Sequence, residues 1–303
     1  MKNIDFGNVG VRENEPLSKH SSLKVGGEAR YALFPKSSDE ITSAIDVCRK
    51  NQCPYKIIGN ASNILFDDKG FNGAIIFTGG INSTQYVHKK GYTLVKVDCG
   101  KSLTELSSEV GKKHGLSGLE FAYGIPGTVG GAIFMNAGAY GGQMSDITLE
   151  TEYVNTTDGN IYVLQSEEHD FGYRHSIFQD HPEYVIISST LKLSERDPAD
   201  ILADMSKNMA ARKEKQPLEY PNAGSTFKRP PNNLFAGKLI EDSGLKGFTV
   251  GGAQVSEKHA GFIINKSGAT SADILELMRH IEDTVLEKFN VQLEREIIYI
   301  PHE

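Results

Sequence analysis

Apolar and polar positions along this chain switch between a helical period and an alternating one, and the switches lay out a series of elements. Ser37-Ser38-Asp39-Glu40 reads as a capping box, after which Ile41, Ala44, Ile45 and Cys48 fall at helical spacing. A short apolar strand follows over Tyr55-Lys56-Ile57-Ile58-Gly59, and another is predicted over 73–77. Residues 84–98 predict a hairpin turning at Lys89-Lys90-Gly91, and Ser102-Leu103-Thr104-Glu105 opens a helix that Gly115 closes. A second hairpin over 151–164 turns at Asp158-Gly159, where glycine supplies the positive φ that such a turn needs, and 184–193 adds a strand. A polar amphipathic helix runs from Asp197-Pro198 to about Lys213, and the segment 215–222, with two prolines, links it to a second unit. There, strands near 248–253 and 261–265 precede a helix over 271–289, whose Ile274, Leu277, Met278, Ile281, Val285 and Leu286 form a stripe to be buried. Residues 292–300 alternate as a last strand, with Glu294 and Glu296 on one face and Leu293, Arg295 and Ile297 on the other.

No period repeats, so solenoids drop out. The 303 residues, 39% apolar and 23% charged, have ordinary globular composition with room for two cores. A net charge of −7 without a Lys/Arg run excludes general affinity for nucleic acid or an acidic membrane surface. No stretch is apolar for the roughly 18 residues of a membrane span, and Met1-Lys2-Asn3-Ile4-Asp5 lacks the apolar segment of a secretory signal. The expectation is a cytoplasmic protein without membrane insertion, whose partners are small molecules or proteins; its oligomeric state is open. Cys48, Cys53 and Cys99 are odd in number and show no C-x-x-C spacing, so they read as packing thiols, with neither a disulfide framework nor a metal site.

Glycine, at 31 residues, is in excess, and its placement suggests chemistry. Gly59-Asn60-Ala61-Ser62-Asn63-Ile64-Leu65 follows the first buried strand, and Tyr123-Gly124-Ile125-Pro126-Gly127-Thr128-Val129-Gly130-Gly131-Ala132 lies midway along the chain. Successive amides in such loops form an anion-binding concavity, and glycine lets a ligand approach the backbone. Either loop alone reads as a tight turn; both together with Asn136-Ala137-Gly138-Ala139-Tyr140-Gly141-Gly142 favour a phosphate-bearing cofactor. There is no G-x-x-x-x-G-K-[ST], and Gly124-Ile125-Pro126-Gly127 does not supply the G-x-G-x-x-G of a Rossmann turn. A dinucleotide, if bound, needs another fold.

Seven segments in order resemble one family. They are Ser22-Leu23-Lys24-Val25-Gly26-Gly27-Glu28-Ala29, the two glycine loops, Met135-Asn136-Ala137-Gly138-Ala139-Tyr140-Gly141, Tyr173-Arg174-His175-Ser176, Gly224-Ser225-Thr226-Phe227-Lys228 and Leu293-Glu294-Arg295-Glu296. Together they span about residues 17 to 300 and are similar to the UDP-N-acetylenolpyruvoylglucosamine reductases (MurB family). The resemblance implies an α+β protein with an FAD-binding domain of the vanillyl-alcohol-oxidase (PCMH) type over 1–196, in two lobes of roughly 1–70 and 71–196. A smaller α+β substrate-binding domain over 197–303 returns its last strand to the active site. It implies an enzyme of peptidoglycan precursor synthesis in which FAD, reduced by NADPH, carries hydride to UDP-N-acetylglucosamine enolpyruvate to give UDP-N-acetylmuramate.

The same resemblance implies site residues. Arg174 pairs with the substrate carboxylate, Glu296 acts on the charge that develops there, and Ser225 delivers a proton to the carbon bearing the ether oxygen. FAD contacts are expected from Gly59, Asn60, Ala61, Ser62, Asn63 and Ile64, from Tyr123, Gly124, Ile125, Pro126, Gly127, Gly130, Gly131 and Ala132, and from Asn136, Gly138, Ala139 and Tyr140. Substrate contacts are expected from Tyr173, Lys215, Arg229 and His259, although for His259 a satisfied core histidine fits equally. Ala61 stands where the family commonly has glycine, a costly change if that backbone has positive φ. The 51-residue interval from Arg174 to Ser225 matches the shorter form of the family, which lacks an inserted loop whose tyrosine closes over the substrate. Another flavin oxidase with the same FAD domain, or a non-catalytic nucleotide-sugar binder, would explain the glycine loops but not Ser225 and Glu296.

Overall fold

The computed structural model describes residues 4–302. In chain order it contains β1 (Gly10–Pro16), β2 (Glu28–Phe34), α1 (Ser38–Lys50), β3 (Tyr55–Ile58), β4 (Ile64–Phe66), β5 (Phe71–Phe77), β6 (Thr84–Lys89) and β7 (Tyr92–Asp98). Then come α2 (Leu103–His114), β8 (Leu116–Ser117), α3 (Val129–Phe134), the short pair β9 (Gly138–Ala139) and β10 (Gly142–Gln143), β11 (Thr148–Asn155), β12 (Ile161–Gln165) and β13 (Tyr184–Glu195). The remainder is α4 (Pro198–Lys215), α5 (Ala236–Asp242), β14 (Thr249–Val250), β15 (Ala253–Val255), β16 (Ile263–Asn265), α6 (Ser271–Phe289) and β17 (Ile298–Ile300). The class is α+β, as expected.

Local signals act as the sequence suggests. The Ser37 hydroxyl accepts from Glu40 N–H at 3.2 Å, and the Glu40 carboxylate reaches back to Lys36 N–H, one residue short of a closed box. Ser102 caps α2, and Gly115 ends it in the left-handed region at φ 62°. Both hairpins turn on glycines with positive φ, Gly91 at 82° and Gly159 at 76°.

The described chain divides into two compact units. The first holds residues up to Arg12, Ala32–Asn60 and Ala74–Ala211; the second holds Glu13–Tyr31, Ala61–Gly73 and Arg212 onward. This differs from a single division at 196/197. The physical reason is pairing across the sequence: β4 runs parallel to β17, with Ile64, Leu65 and Phe66 opposite Ile298, Tyr299 and Ile300.

In the first unit an antiparallel sheet has the order β12-β11-β13-β7-β6, with β8 added against β13. Val95, Val97, Leu191 and Leu193 are buried on it, as are Leu103, Leu106 and Val110 of α2. Helices α2 and α4 approach closely at Gly111, where an added Cβ would lie 2.9 Å from Ile201 and 3.2 Å from the Met205 sulfur. β3 and β5 pair in parallel from Tyr55 opposite Ala74 to Ile58 opposite Phe77, and β3 delivers the chain to Gly59.

The second unit builds its core around α6. Ile274, Leu277, Met278, Ile281 and Val285 are buried in one cluster with Leu23, Val25, Leu65, Leu239, Ile240, Val255, Ile263 and Ile297. Leu286, expected in the buried stripe, is 40% exposed, since it sits one position past the apolar arc. The last strand is also shorter than 292–300. Its first half pairs instead with the Ser225 segment, through Glu296 N–H to Thr226 C=O and Lys228 N–H to Glu294 C=O, and only Ile298–Ile300 joins β4.

Candidate active site

The first unit brings the two glycine loops together. Asn60 Nδ2 donates to the Pro126 carbonyl at 3.1 Å, and a Cβ on Gly59 would stand 2.4 Å from Thr128 Oγ1. Gly59 is therefore a glycine because the second loop lies against it. Thr104 Oγ1 donates to the Ile125 carbonyl and accepts from Gly124 N–H, holding the left-handed Gly124 (φ 94°) in place.

The second loop is shorter than its glycines suggest. Thr128 caps α3, its hydroxyl accepting from Gly131 N–H and its carbonyl from Ala132 N–H, while Gly130 N–H donates to Cys99 C=O at 2.8 Å. Gly130, Gly131 and Ala132 thus have their amides spent inside the protein, which corrects their reading as exposed loop donors. Gly130 is required for packing, since a Cβ there would lie 2.9 Å from the Cys99 side chain. Amides without an acceptor among the described residues are those of Gly127 and Thr128 here, and of Asn60, Ala61, Ser62 and Asn63 in the first loop. Donors of this kind fit the pyrophosphate oxygens of FAD. Ala61 lies in the left-handed region at φ 46°, the conformation that glycine holds without strain.

Past α3, Tyr140 and Gly141 both have positive φ (52° and 88°), as the central residues of a tight turn between β9 and β10 require. Asn136 is 2% exposed and its amide is engaged at both ends: Nδ2 donates to Gly172 C=O and Oδ1 accepts from Ser145 N–H, both at 2.9 Å. That side chain ties the Gly172 loop to the end of α3, a structural duty that the sequence reading did not anticipate. Gly172 and His175 exchange backbone hydrogen bonds, so Tyr173 and Arg174 form the tip of a four-residue turn. Arg174 has φ 55°, a left-handed conformation that costs a non-glycine residue about 1–2 kcal/mol. Gln179 Nε2 braces it by donating to the Arg174 and Phe134 carbonyls, and Ser176 Oγ donates to Phe134 C=O. The Arg174 guanidinium lies 5.2 Å from the Tyr173 ring centre and donates to Gly138 C=O at 3.3 Å. Tyr173 is 52% exposed.

In the second unit Ser225 and Glu296 sit on neighbouring extended segments, joined where Glu296 N–H donates to Thr226 C=O at 2.9 Å. The first glycine loop reaches the same place. Asn63 Nδ2 donates to Glu296 C=O at 2.9 Å, and Asn63 C=O accepts from Ile298 N–H. The half-buried Ser225 hydroxyl has no hydrogen-bond partner among the described residues. Neighbouring Arg295 points its charge elsewhere, into a two-pronged pair with Glu282 at 2.6 and 2.7 Å.

The softer assignments are placed as follows. Lys215 is the exposed last residue of α4, not part of a linker, and Lys258 closes that helix end by donating to Lys213 C=O at 2.7 Å. Arg229 is exposed with its guanidinium 4.9 Å from the Phe235 ring centre. His259 Nδ1 accepts from Gly261 N–H at 3.1 Å, which puts the ring proton on Nε2, where no acceptor lies among the described residues. Burial pushes its pKa below the ordinary 6.5. Its ring packs against bare backbone, since a Cβ on Gly237 or Gly261 would come within 3.2 or 3.0 Å of Cε1. His259 is a packed, neutral histidine with one donor remaining.

Comparison with known proteins agrees along the whole chain. A family model described as an FAD binding domain matches residues 29–165, and one described as the UDP-N-acetylenolpyruvoylglucosamine reductase C-terminal domain matches 216–300. The UDP-N-acetylenolpyruvoylglucosamine reductase of Clostridium botulinum is 46% identical over 297 residues, covering 98% of this chain and 94% of the relative. That of Pediococcus pentosaceus is 45% identical over 298 residues, covering 98% and 97%. The crystal structure of the Thermus caldophilus enzyme superposes with a TM-score of 0.78 at 36% identity, covering 97% of this chain and 99% of that one. With its amide-lined loops and the Ser225 and Glu296 segments in that setting, the chain belongs to the UDP-N-acetylenolpyruvoylglucosamine reductase family.

Proposed function

We propose that this protein reduces UDP-N-acetylglucosamine enolpyruvate to UDP-N-acetylmuramate, with FAD as cofactor and NADPH as hydride donor, in peptidoglycan precursor synthesis. The observation that carries the proposal is the meeting of three segments at Glu296: its carbonyl accepts from Asn63 of the first glycine loop and its N–H donates to Thr226, next to Ser225, both at 2.9 Å. These residues, all within one unit, are the ones assigned to cofactor contact, proton donation and stabilisation of charge. No helix among the described residues is long and apolar enough to cross a membrane. We place the enzyme in the cytoplasm, where nucleotide sugars and NADPH are available.

Bound FAD supplies the two-electron relay between NADPH and the vinyl carbon of the substrate. The chain's residues make that transfer possible. An enol ether is electron-rich, and hydride can add to its terminal carbon only if the adjacent carboxylate takes up the resulting charge. Arg174 binds this carboxylate through its planar fork, and the braced turn that holds it keeps the guanidinium oriented before substrate arrives. Glu296, as a protonated carboxyl or through a water that it polarises, donates toward the developing charge. Ser225 then donates its proton to the carbon bearing the ether oxygen. A hydroxyl is a weak acid, but an enolate-like carbon is a strong base, so placement governs the rate. The absence of a competing partner for the Ser225 hydroxyl suits that task. Amides of Asn60, Gly127 and Thr128 would hold pyrophosphate. Tyr173, Lys215, Arg229 and His259 are assigned to the substrate, His259 as a neutral Nε2–H donor.

The test uses the visible spectrum under anaerobic conditions. NADPH should bleach the flavin bands, and UDP-N-acetylglucosamine enolpyruvate should restore them. Ser225→Ala should leave bleaching nearly unchanged while slowing the restoration by orders of magnitude, because only the second half-reaction consumes that proton. Equal slowing of both halves would remove Ser225 from the role.

A further inference from the structure

The end of α1 carries a pair of thiols that this chemistry does not use. Gln52 follows the helix in the left-handed region at φ 52°. Cys53 N–H donates to Cys48 C=O at 2.9 Å, and Gln52 N–H donates to Arg49 C=O at 3.1 Å. These two bonds are the six-to-one and five-to-two closures of a Schellman motif, in which the residue three from the helix end and the second residue past its cap meet side by side, usually as an apolar contact. Here both positions are cysteines and neither is in a disulfide; the Cys53 thiol donates to the Pro54 carbonyl at 3.5 Å. The closed backbone turn sets these two side chains side by side, the arrangement from which a disulfide could close.

We propose that Cys48 and Cys53 are a peroxide-responsive dithiol that closes to an intramolecular disulfide in the folded protein. Cys53, 8% exposed against 0% for Cys48, is the sulfur that a small oxidant meets first. Its thiolate attacks the O–O bond of a hydroperoxide, becoming a sulfenic acid as the alcohol, or water from hydrogen peroxide, departs. The Cys48 sulfur then gives up its proton and displaces the sulfenic oxygen as water. Two thiols and one hydroperoxide become one disulfide, one alcohol and one water, with two electrons passing from sulfur to oxygen. The neighbouring Cys53 thiol and burial push the Cys48 thiol up, which suits it to the resolving step and not to the attack. Five residues after Cys53 β3 ends and Gly59 begins the first glycine loop, so the bond would fasten the segment leading into it. Cys99 is a built-in control, 2% exposed and packed against Gly130 instead of beside a second thiol.

The experiment exposes the full-length protein, as purified, to hydrogen peroxide, alkylates it after denaturation and maps the peptides by mass spectrometry. Alkylatable thiols should fall from three to one, leaving Cys99. The peptide spanning Cys48 and Cys53 should lack two hydrogens and become alkylatable after dithiothreitol. In Cys53→Ser, Cys48 should stay alkylatable throughout. Three thiols surviving the treatment, or Cys53 passing to sulfinic acid while Cys48 remains a thiol, would overturn the proposal.

Discussion

Ala61 shows how a single methyl can be read against the backbone that carries it. At φ 46° it holds a conformation costing about 1–2 kcal/mol relative to glycine, yet Ala61→Gly adds roughly 0.5–1 kcal/mol of chain entropy and gives up a buried methyl of about 0.8 kcal/mol. These offset. The melting temperature of the flavin-free Ala61→Gly protein should stay close to wild type, so a change in its FAD dissociation constant would report contact between methyl and cofactor. A clear rise or fall in melting temperature would show that the strain at this position is not what the balance assumes. His169 makes a second point at this scale. It is fully buried, its Nδ1–H donating to Gln165 C=O and its Nε2 accepting from Thr151 Oγ1, both at 2.8 Å, and burial lowers its pKa from the ordinary 6.5. The unfolded chain therefore takes up a proton near pH 6.5 that the folded chain refuses. Stability is complete above that pH and declines as pH falls through 6.5, by up to about 1.4 kcal/mol per pH unit until the folded pKa is reached. Urea unfolding at pH 7.5 and 5.5 should show the loss, and His169→Gln should reduce it; an undiminished slope in the variant would assign the effect elsewhere.

At the scale of elements, α3 and the loops on either side of it do most of the positioning. Asn136 joins the end of α3 to Gly172, and so to the turn that presents Arg174. Asn136→Ala would leave the Ser145 N–H without a partner, at about 1–3 kcal/mol, and the Gly172 carbonyl held by the His175 N–H alone. The expected result is a lower melting temperature together with a kcat loss in the substrate half-reaction larger than in flavin reduction. Equal losses would mean that Asn136 supports the fold without orienting Arg174. Helices and hairpins were legible because their signals are local: Ser102 at a cap, Gly115 at a C-terminus, Gly159 in a turn. Helix α3 was not, because Val129-Gly130-Gly131-Ala132 has two glycines in a six-residue helix and lacks any propensity for it. Its formation depends on Thr128 as cap and on Cys99 packed against Gly130, contacts that arise only after folding. The candidate residues were legible through motif order. The work of Gln179, Ser176 and Asn136 in bracing the Arg174 turn was not, since each acts through a backbone carbonyl or amide that no side-chain pattern reveals.

For the whole molecule the decisive fact is that neither unit is continuous in sequence. The second unit takes Glu13–Tyr31 and Ala61–Gly73 from the N-terminal half, and the alternation of 292–300 gave no indication that Ile298–Ile300 would pair with β4. A fragment of residues 197–303, cut where sequence alone would divide the chain, lacks that partner strand and leaves Ile298–Ile300 as an unpaired edge. It also loses Leu23, Val25 and Leu65, which are 0%, 3% and 0% exposed in the cluster around α6. At about 1.5–3 kcal/mol for each buried aliphatic side chain, that is roughly 5–9 kcal/mol, comparable with the whole stability of a typical domain at about 5–15 kcal/mol. The fragment should therefore show no cooperative transition in urea or on heating by circular dichroism, although α6 keeps its Thr270 cap and its apolar stripe. Cooperative unfolding of 197–303 with a stability near that of the intact chain would mean that α6 and its neighbours complete their core without the N-terminal segments, and the second unit would then fold independently of them.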